Sequence, residues 1–166
     1  MIQKKICLVG AFAVGKTSLI QRYVKSIFSE KYITTIGVKV DKKELVCDGS
    51  NVNLVIWDLN GTDEIDSIKV SYLRGSSGYL LVADCSRVST IDTANEIINT
   101  VNQSVGNIPF ILLLNKMDLI DDFTEIEAKL STLNHNNITV LKTSAKTGEG
   151  VENAFLTLTK ILLDKK

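Results

Sequence analysis

Nine residues near the start of the chain, GAFAVGKTS at positions 10–18, fit the pattern G-x-x-x-x-G-K-[ST] through Gly10, Gly15, Lys16 and Thr17. A glycine-rich turn of this kind directs its backbone amides inward. With the N-terminus of the helix that follows, it makes a nest for phosphate oxygens. Ala13, Val14, Gly15, Lys16, Thr17 and Ser18 are therefore the candidate phosphate-binding residues. The Lys16 ammonium supplies a point charge to the outer phosphates. The Thr17 hydroxyl supplies a hard oxygen to Mg²⁺, which prefers such ligands together with the phosphates themselves.

Two later stretches concern a base. LLLNKMD ends an apolar run and offers Asn115, Lys116 and Asp118; TSAK offers Ser144, Ala145 and Lys146. A carboxylate such as that of Asp118 accepts from both the ring N–H and the exocyclic amine of guanine, a donor pair that adenine lacks on that edge. Lys116 and Lys146 have aliphatic stems long enough to cover the faces of a base while their charges stay in water. Alone, Asn-Lys-x-Asp is a common surface turn. Placed at the end of a strand, downstream of a phosphate loop, it selects guanine.

Apolar strands and amphipathic segments alternate to position these residues. Strands are expected at 4–10, 36–47, 52–58, 78–84, 109–115 and 138–144, several of them continuous apolar runs suited to cover on both faces. Asp48-Gly49 is a hairpin signal, so the second and third strands should run antiparallel. Helices are expected at 16–26, about 65–75, 90–104, 123–134 and 150–163, with Ser89 and Thr90 as candidate N-caps of the third. The alternation predicts an α/β fold of three layers, α/β/α, with ligands beyond the carboxyl ends of the parallel strands. The chain of 166 residues suits a single domain, 1–166. Its 19 Lys+Arg balance 19 Asp+Glu, which gives no electrostatic case for nucleic acid. Cys7, Cys47 and Cys85 have neither metal-ligand nor redox spacing. Cys7 and Cys85 lie beside apolar runs and read as small buried hydrophobes. An odd count without a framework suits a reducing compartment.

Taken together, GAFAVGKTS, YITTIGV, WDLNGTDE, SYLRG, NKMD and TSAK, in this order and spacing, resemble a small GTPase of the Ras superfamily, closest to the Rab branch. The resemblance covers residues 4–163. It implies a P-loop NTPase fold, with a six-stranded, mostly parallel sheet carrying one antiparallel strand, and five helices. It implies GTP, GDP and Mg²⁺ as ligands, and effector proteins, an exchange factor and a GTPase-activating protein as partners. By position, Thr35 resembles the threonine of the first switch, with Thr34 its near competitor; it would join Mg²⁺ and touch the γ-phosphate. Tyr32 resembles the switch tyrosine that covers the phosphates. Phe28 resembles the aromatic packed on the guanine, and a core-facing helix residue is its alternative. Asp58 resembles the acid that holds Mg²⁺ through a water, and Gly61 the glycine whose amide meets the γ-phosphate. Asp84 also has a counterpart and reads as a loop or structural acid.

The chain departs from that family at two places. Asn60-Gly61-Thr62-Asp63 stands where Ala-Gly-Gln-Glu is usual. The glutamine orients the attacking water, a role for which this family is the worked case. The Thr62 side chain is too short to reach that position. Phe12 stands where a small residue is usual, and its ring would lie over the γ-phosphate or swing into solvent. Both departures bear on cleavage rather than binding, so slow hydrolysis is expected, with Lys16, Gly61 and Thr62 as the catalytic set. Water placement by Glu64 or by a partner is the alternative. The chain ends ILLDKK and its last cysteine is Cys85, so no prenylation site falls within it. A monomeric cytoplasmic protein is expected, associated with membrane only if the natural chain extends further. Three readings follow: a molecular switch, a GTP-held scaffold that does not cycle, and a small P-loop kinase. The last has no insertion from which to build a lid.

Overall fold

The computed structural model describes residues 1–30, 38–59, 70–133 and 137–165. Six strands form one sheet in the order β2-β3-β1-β4-β5-β6. They are β1 (Ile2–Gly10), β2 (Val38–Cys47), β3 (Ser50–Leu59), β4 (Gly78–Asp84), β5 (Phe110–Asn115) and β6 (Val140–Lys142). Only the β2–β3 pair is antiparallel. Its turn is Asp48-Gly49, with φ of 49° and 78°, the left-handed pair that a two-residue hairpin of this hand requires. Among the described residues there are four α-helices: α1 (Lys16–Lys25), α2 (Ser89–Ser104), α3 (Thr124–Leu130) and α4 (Val151–Asp164).

Alternation along the strands feeds two cores. Ile6 and Leu8 of β1, Leu80 and Val82 of β4, and Ile111 and Leu113 of β5 face one layer. There they meet Leu19, Ile20 and Tyr23 of α1 and Phe155, Leu158 and Leu162 of α4. Cys7, Val9, Leu81, Ala83, Leu112 and Leu114 face the other, with Ile91, Ile97, Ile98 and Val101 of α2 and Ile126 of α3. Because both faces are covered, the central strands are apolar at successive positions rather than at alternate ones. The three cysteines are buried and free. Burial pushes the Cys85 thiol up to about 11, and the neighbouring Asp84 charge adds to the shift.

The expectation of five helices is corrected to four among the described residues. The missing one was placed at about 65–75, of which residues 65–69 lie outside the described residues. From Val70 to Leu73 there is a 3-10 turn, not an α-helix. Two of the carbonyls here are claimed from outside: Lys5 Nζ donates to those of Tyr72 (2.7 Å) and Arg74 (3.0 Å). Gly75 then turns left-handed at φ 78°, and the Ser76 amide closes on Leu73. The Arg74 amide likewise bonds the Ser71 carbonyl three residues back (3.4 Å), so the run closes in 3-10 rather than α-helical bonds.

Smaller departures have similar causes. Helix α3 stops at Leu130 rather than 134, where the Ser131 and Thr132 hydroxyls take the carbonyls of Ala128 and Lys129. The residue preceding α2 is Val88, without a side-chain cap. Ser89 and Thr90 already lie within the helix, and the Thr90 hydroxyl accepts from the Asp84 amide instead.

Candidate functional site

Strand β1 is central, with β3 on one side and β4 on the other. The chain leaves β1 to build one half of the sheet and crosses it to build the other. At such a reversal the connections diverge and leave a crevice beyond the strand ends. The loop at 10–15 occupies it. Two glycines let the backbone close in. A Cβ on Gly10 would lie 2.3 Å from the Val82 carbonyl oxygen, and one on Gly15 2.3 Å from Asn115 Nδ2. Gly15 also sits at φ 104°, a region L side chains rarely adopt.

The loop's carbonyls are each held. Lys16, itself buried, donates Nζ to the carbonyls of Gly10 (3.1 Å) and Ala11 (3.2 Å). Arg87 Nη2 donates to that of Phe12 (2.6 Å), Lys116 Nζ to that of Ala13 (3.0 Å), and Asn115 Nδ2 to that of Val14 (3.0 Å). A planar trans peptide sets its C=O and N–H on opposite sides. Anchoring the carbonyls of 12, 13 and 14 therefore turns the amides of Ala13, Val14 and Gly15 the other way. The first helical bond of α1 runs from the Leu19 amide to the Gly15 carbonyl (2.9 Å). The amides of Lys16, Thr17 and Ser18 thus stand at the positive end of the helix, outside its ladder. These orientations make an anion nest.

Two hard oxygen donors adjoin it. The Thr17 hydroxyl donates to Asp58 Oδ2 at 2.5 Å, and Asp58, near the end of β3, is buried. Among the described residues no three His, Cys, Asp or Glu side chains cluster for a metal. One hydroxyl and one carboxylate are a donor set that fits Mg²⁺, which keeps waters and phosphate oxygens in its remaining positions.

Asn115 ends β5 and Lys116 and Asp118 follow it; Ser144, Ala145 and Lys146 follow β6. The pairing of β5 with β6 brings the two groups together. Thr143 Oγ1 donates to Asn115 Oδ1 (3.0 Å), which fixes the amide so that its Nδ2 faces the phosphate loop. The Ser144 hydroxyl donates to Asp118 Oδ1 (2.7 Å). Arg22 of α1 holds the carbonyls of Ala145 (2.8 Å) and Lys146. Lys146 pairs with Glu30 at 3.3 Å on the surface. Phe28 lies beyond the end of α1, half-buried against the first core layer. Phe12 is 39 % exposed. Tyr32, Thr34, Thr35, Asn60, Gly61, Thr62 and Glu64 lie outside the described residues.

Sequence reasoning passed over Arg22, Thr143 and Arg87, and treated Asp84 as structural. Asp84 pairs across β4 and β5 with Asn115 and is buried. Its carboxylate takes Arg87 Nε (3.1 Å) and Lys116 Nζ (3.0 Å) on Oδ2, and the Ser86 amide (2.8 Å) and hydroxyl (2.6 Å) on Oδ1. Burial alone would raise its pKa, but the hydrogen bonds from Ser86, Lys116 and Arg87 outweigh that and hold it below the ordinary carboxylate value. The only cue in the sequence was an arginine three residues after an acid. No helix of the described residues is long and apolar enough to cross a membrane.

The profile of the Ras family matches residues 5–164. The chain is 34% identical over 165 residues to the "Ras-related protein Rab-1" of Theileria annulata, covering 97% of this chain and 74% of that protein. It is 34% identical over 167 residues to the "Ras-related protein Rab-4" of Dictyostelium discoideum, covering 97% of this chain and 80% of that protein.

Proposed function

Because this chain belongs to the Ras family of small GTPases, we propose that it is a guanine-nucleotide-binding switch that holds GTP or GDP with Mg²⁺ and hydrolyses GTP slowly. The observation that carries the reading is the convergence of three loops. The loop at 10–15 is tied by hydrogen bonds to Asn115 and Lys116, and the residues after β6 are tied to Asp118. The residues proposed for phosphate and for base thus belong to neighbouring loops joined by hydrogen bonds.

In this reading the amides of Ala13, Val14, Gly15, Lys16, Thr17 and Ser18 bind the phosphates, and the Lys16 ammonium lies against the outer ones. Asp118 accepts from guanine, with the Ser144 hydroxyl orienting its carboxylate. The Ala145 amide and the stems of Lys116 and Lys146 complete the base site. Phe28 assists from its edge. Thr17, Thr35 and Asp58 hold Mg²⁺, which when bound neutralises charge that develops on the phosphates. Thr35 and Gly61 carry the switch by reading the last phosphate, with Tyr32 closing over it; loss of that phosphate releases both segments. Effectors, an exchange factor and an activating protein act on those segments. Thr62 in place of glutamine leaves the attacking water poorly oriented, and Phe12 obstructs an incoming arginine finger.

Thr62 and Phe12 also favour a second reading, a GTP-held scaffold that does not cycle. The nucleotide that co-purifies with untreated protein, identified by base and phosphate count, tests both. GTP is expected, from slow cleavage. GDP would favour a working cycle, and a direct hydrolysis assay would then decide. An adenine nucleotide would overturn the assignment. A partner whose affinity is the same for both nucleotide forms would favour the scaffold.

A further inference from the structure

We propose that Arg87 is a positioning residue: it sets the peptide between Phe12 and Ala13 and thereby controls how long a phosphate-bearing ligand is retained, an inference that rests on the nucleotide reading above. Two hooks hold consecutive carbonyls of the phosphate loop to one buried carboxylate. Arg87 reaches the Phe12 carbonyl with Nη2 (2.6 Å) and Asp84 with Nε (3.1 Å). Lys116 reaches the Ala13 carbonyl (3.0 Å) and the same Asp84 oxygen (3.0 Å). Asp84 does not move to meet them, because the Ser86 amide and hydroxyl grip its other oxygen.

The Arg87 contact spans 75 positions of sequence and turns one specific peptide. With the Phe12 carbonyl held outward, the Ala13 amide faces the nest. Ala13 itself sits at φ 60°, where a non-glycine residue is strained. Without Arg87, rotation of this peptide lets Ala13 return to negative φ and withdraws its amide. The carbonyls of Ala13 and Val14 keep their own partners, so the effect is local. The guanidinium fork matters, because it serves Asp84 and Phe12 at once from two nitrogens; a lysine ammonium at the end of a flexible stem does not reproduce that geometry.

The test is backbone amide hydrogen exchange, residue by residue, in wild type, Arg87→Ala and Arg87→Lys. It is run without nucleotide and with GDP, alongside displacement of a fluorescent GDP analogue. With GDP bound, the Ala13 amide should exchange about tenfold faster in both variants, on the scale of one lost charge-assisted hydrogen bond. Amides of β1 and β5 should keep their rates, and the analogue should leave about fivefold to tenfold faster. Wild-type exchange at Ala13 in Arg87→Ala would overturn the proposal. So would full recovery in Arg87→Lys, or acceleration spread through the whole sheet, which marks a general loss of stability. If wild type retains no guanine nucleotide, the nucleotide reading fails on its own, and the Ala13 backbone chemical shifts of nucleotide-free Arg87→Ala against wild type still decide whether Arg87 sets the loop: unchanged shifts would overturn the proposal.

Discussion

Asp118 gives the sharpest residue-scale prediction. A carboxylate accepts from both guanine donors, whereas an amide presents a donor where the guanine amine also donates. Asp118→Asn should therefore cut the preference for GDP over xanthosine diphosphate by about a hundredfold or more, the range seen when a buried recognition bond is mismatched. Competition of the two diphosphates against fluorescent GDP measures it, and unchanged selectivity would refute the base assignment. Cleavage turns on other residues. Thr62→Gln with Phe12→Gly should raise single-turnover hydrolysis about tenfold or more by restoring a water-orienting amide and clearing the loop. If neither the pair nor either single change speeds cleavage, the account of slow turnover is wrong. At this scale, Gly15, Lys16, Thr17, Asn115 and Asp118 stood out in the sequence by the spacing of their motifs, which the proposed nucleotide would dictate. Arg87, Thr143 and Arg22 did not, because Arg87 and Arg22 act on backbone carbonyls and Thr143 on the Asn115 side chain, all far along the chain, and no pattern of residue types records that.

Among the elements, the strands were read more securely than the helices. Continuous apolar runs such as 78–84 have few alternatives to a strand covered on both faces. The segment near 70–75 carries helix-compatible residues, yet Lys5 claims its carbonyls and Gly75 turns it away. Elements also pack closely where β4 begins. A Cβ on Gly78 would lie 2.7 Å from the Pro109 carbonyl oxygen and 3.0 Å from Leu162 of α4. Backbone on one side and a core side chain on the other leave it no room, so Gly78→Ala should destabilise the fold by about 1–3 kcal/mol. Urea denaturation checks this as a lower midpoint with an unchanged slope. A midpoint equal to wild type would mean that α4 yields readily.

For the whole molecule, Asp84 links the two halves of the site and so links stability to pH. Lys116 and Arg87 face it, and its folded pKa lies below the ordinary 3.8. Its contribution is thus fully present above about 3.8 and is lost as pH falls through the folded value. Asp84→Asn should be less stable than wild type in urea at pH 7, and the gap should narrow in acid below 3.8. A gap independent of pH would show that the charge is not what matters. By itself the sequence determined the family, the order of the strands along the chain and the hairpin, and it supplied the motifs proposed to contact a ligand, because period, turn chemistry and motif spacing act over short spans. Only the tertiary structure decided that one buried acid, two cations and one amide would fix the carbonyls of residues 12–14. Those contacts depend on β4 lying in register beside β1 and β5 beside β4, and register between strands is set by the packing of the whole sheet.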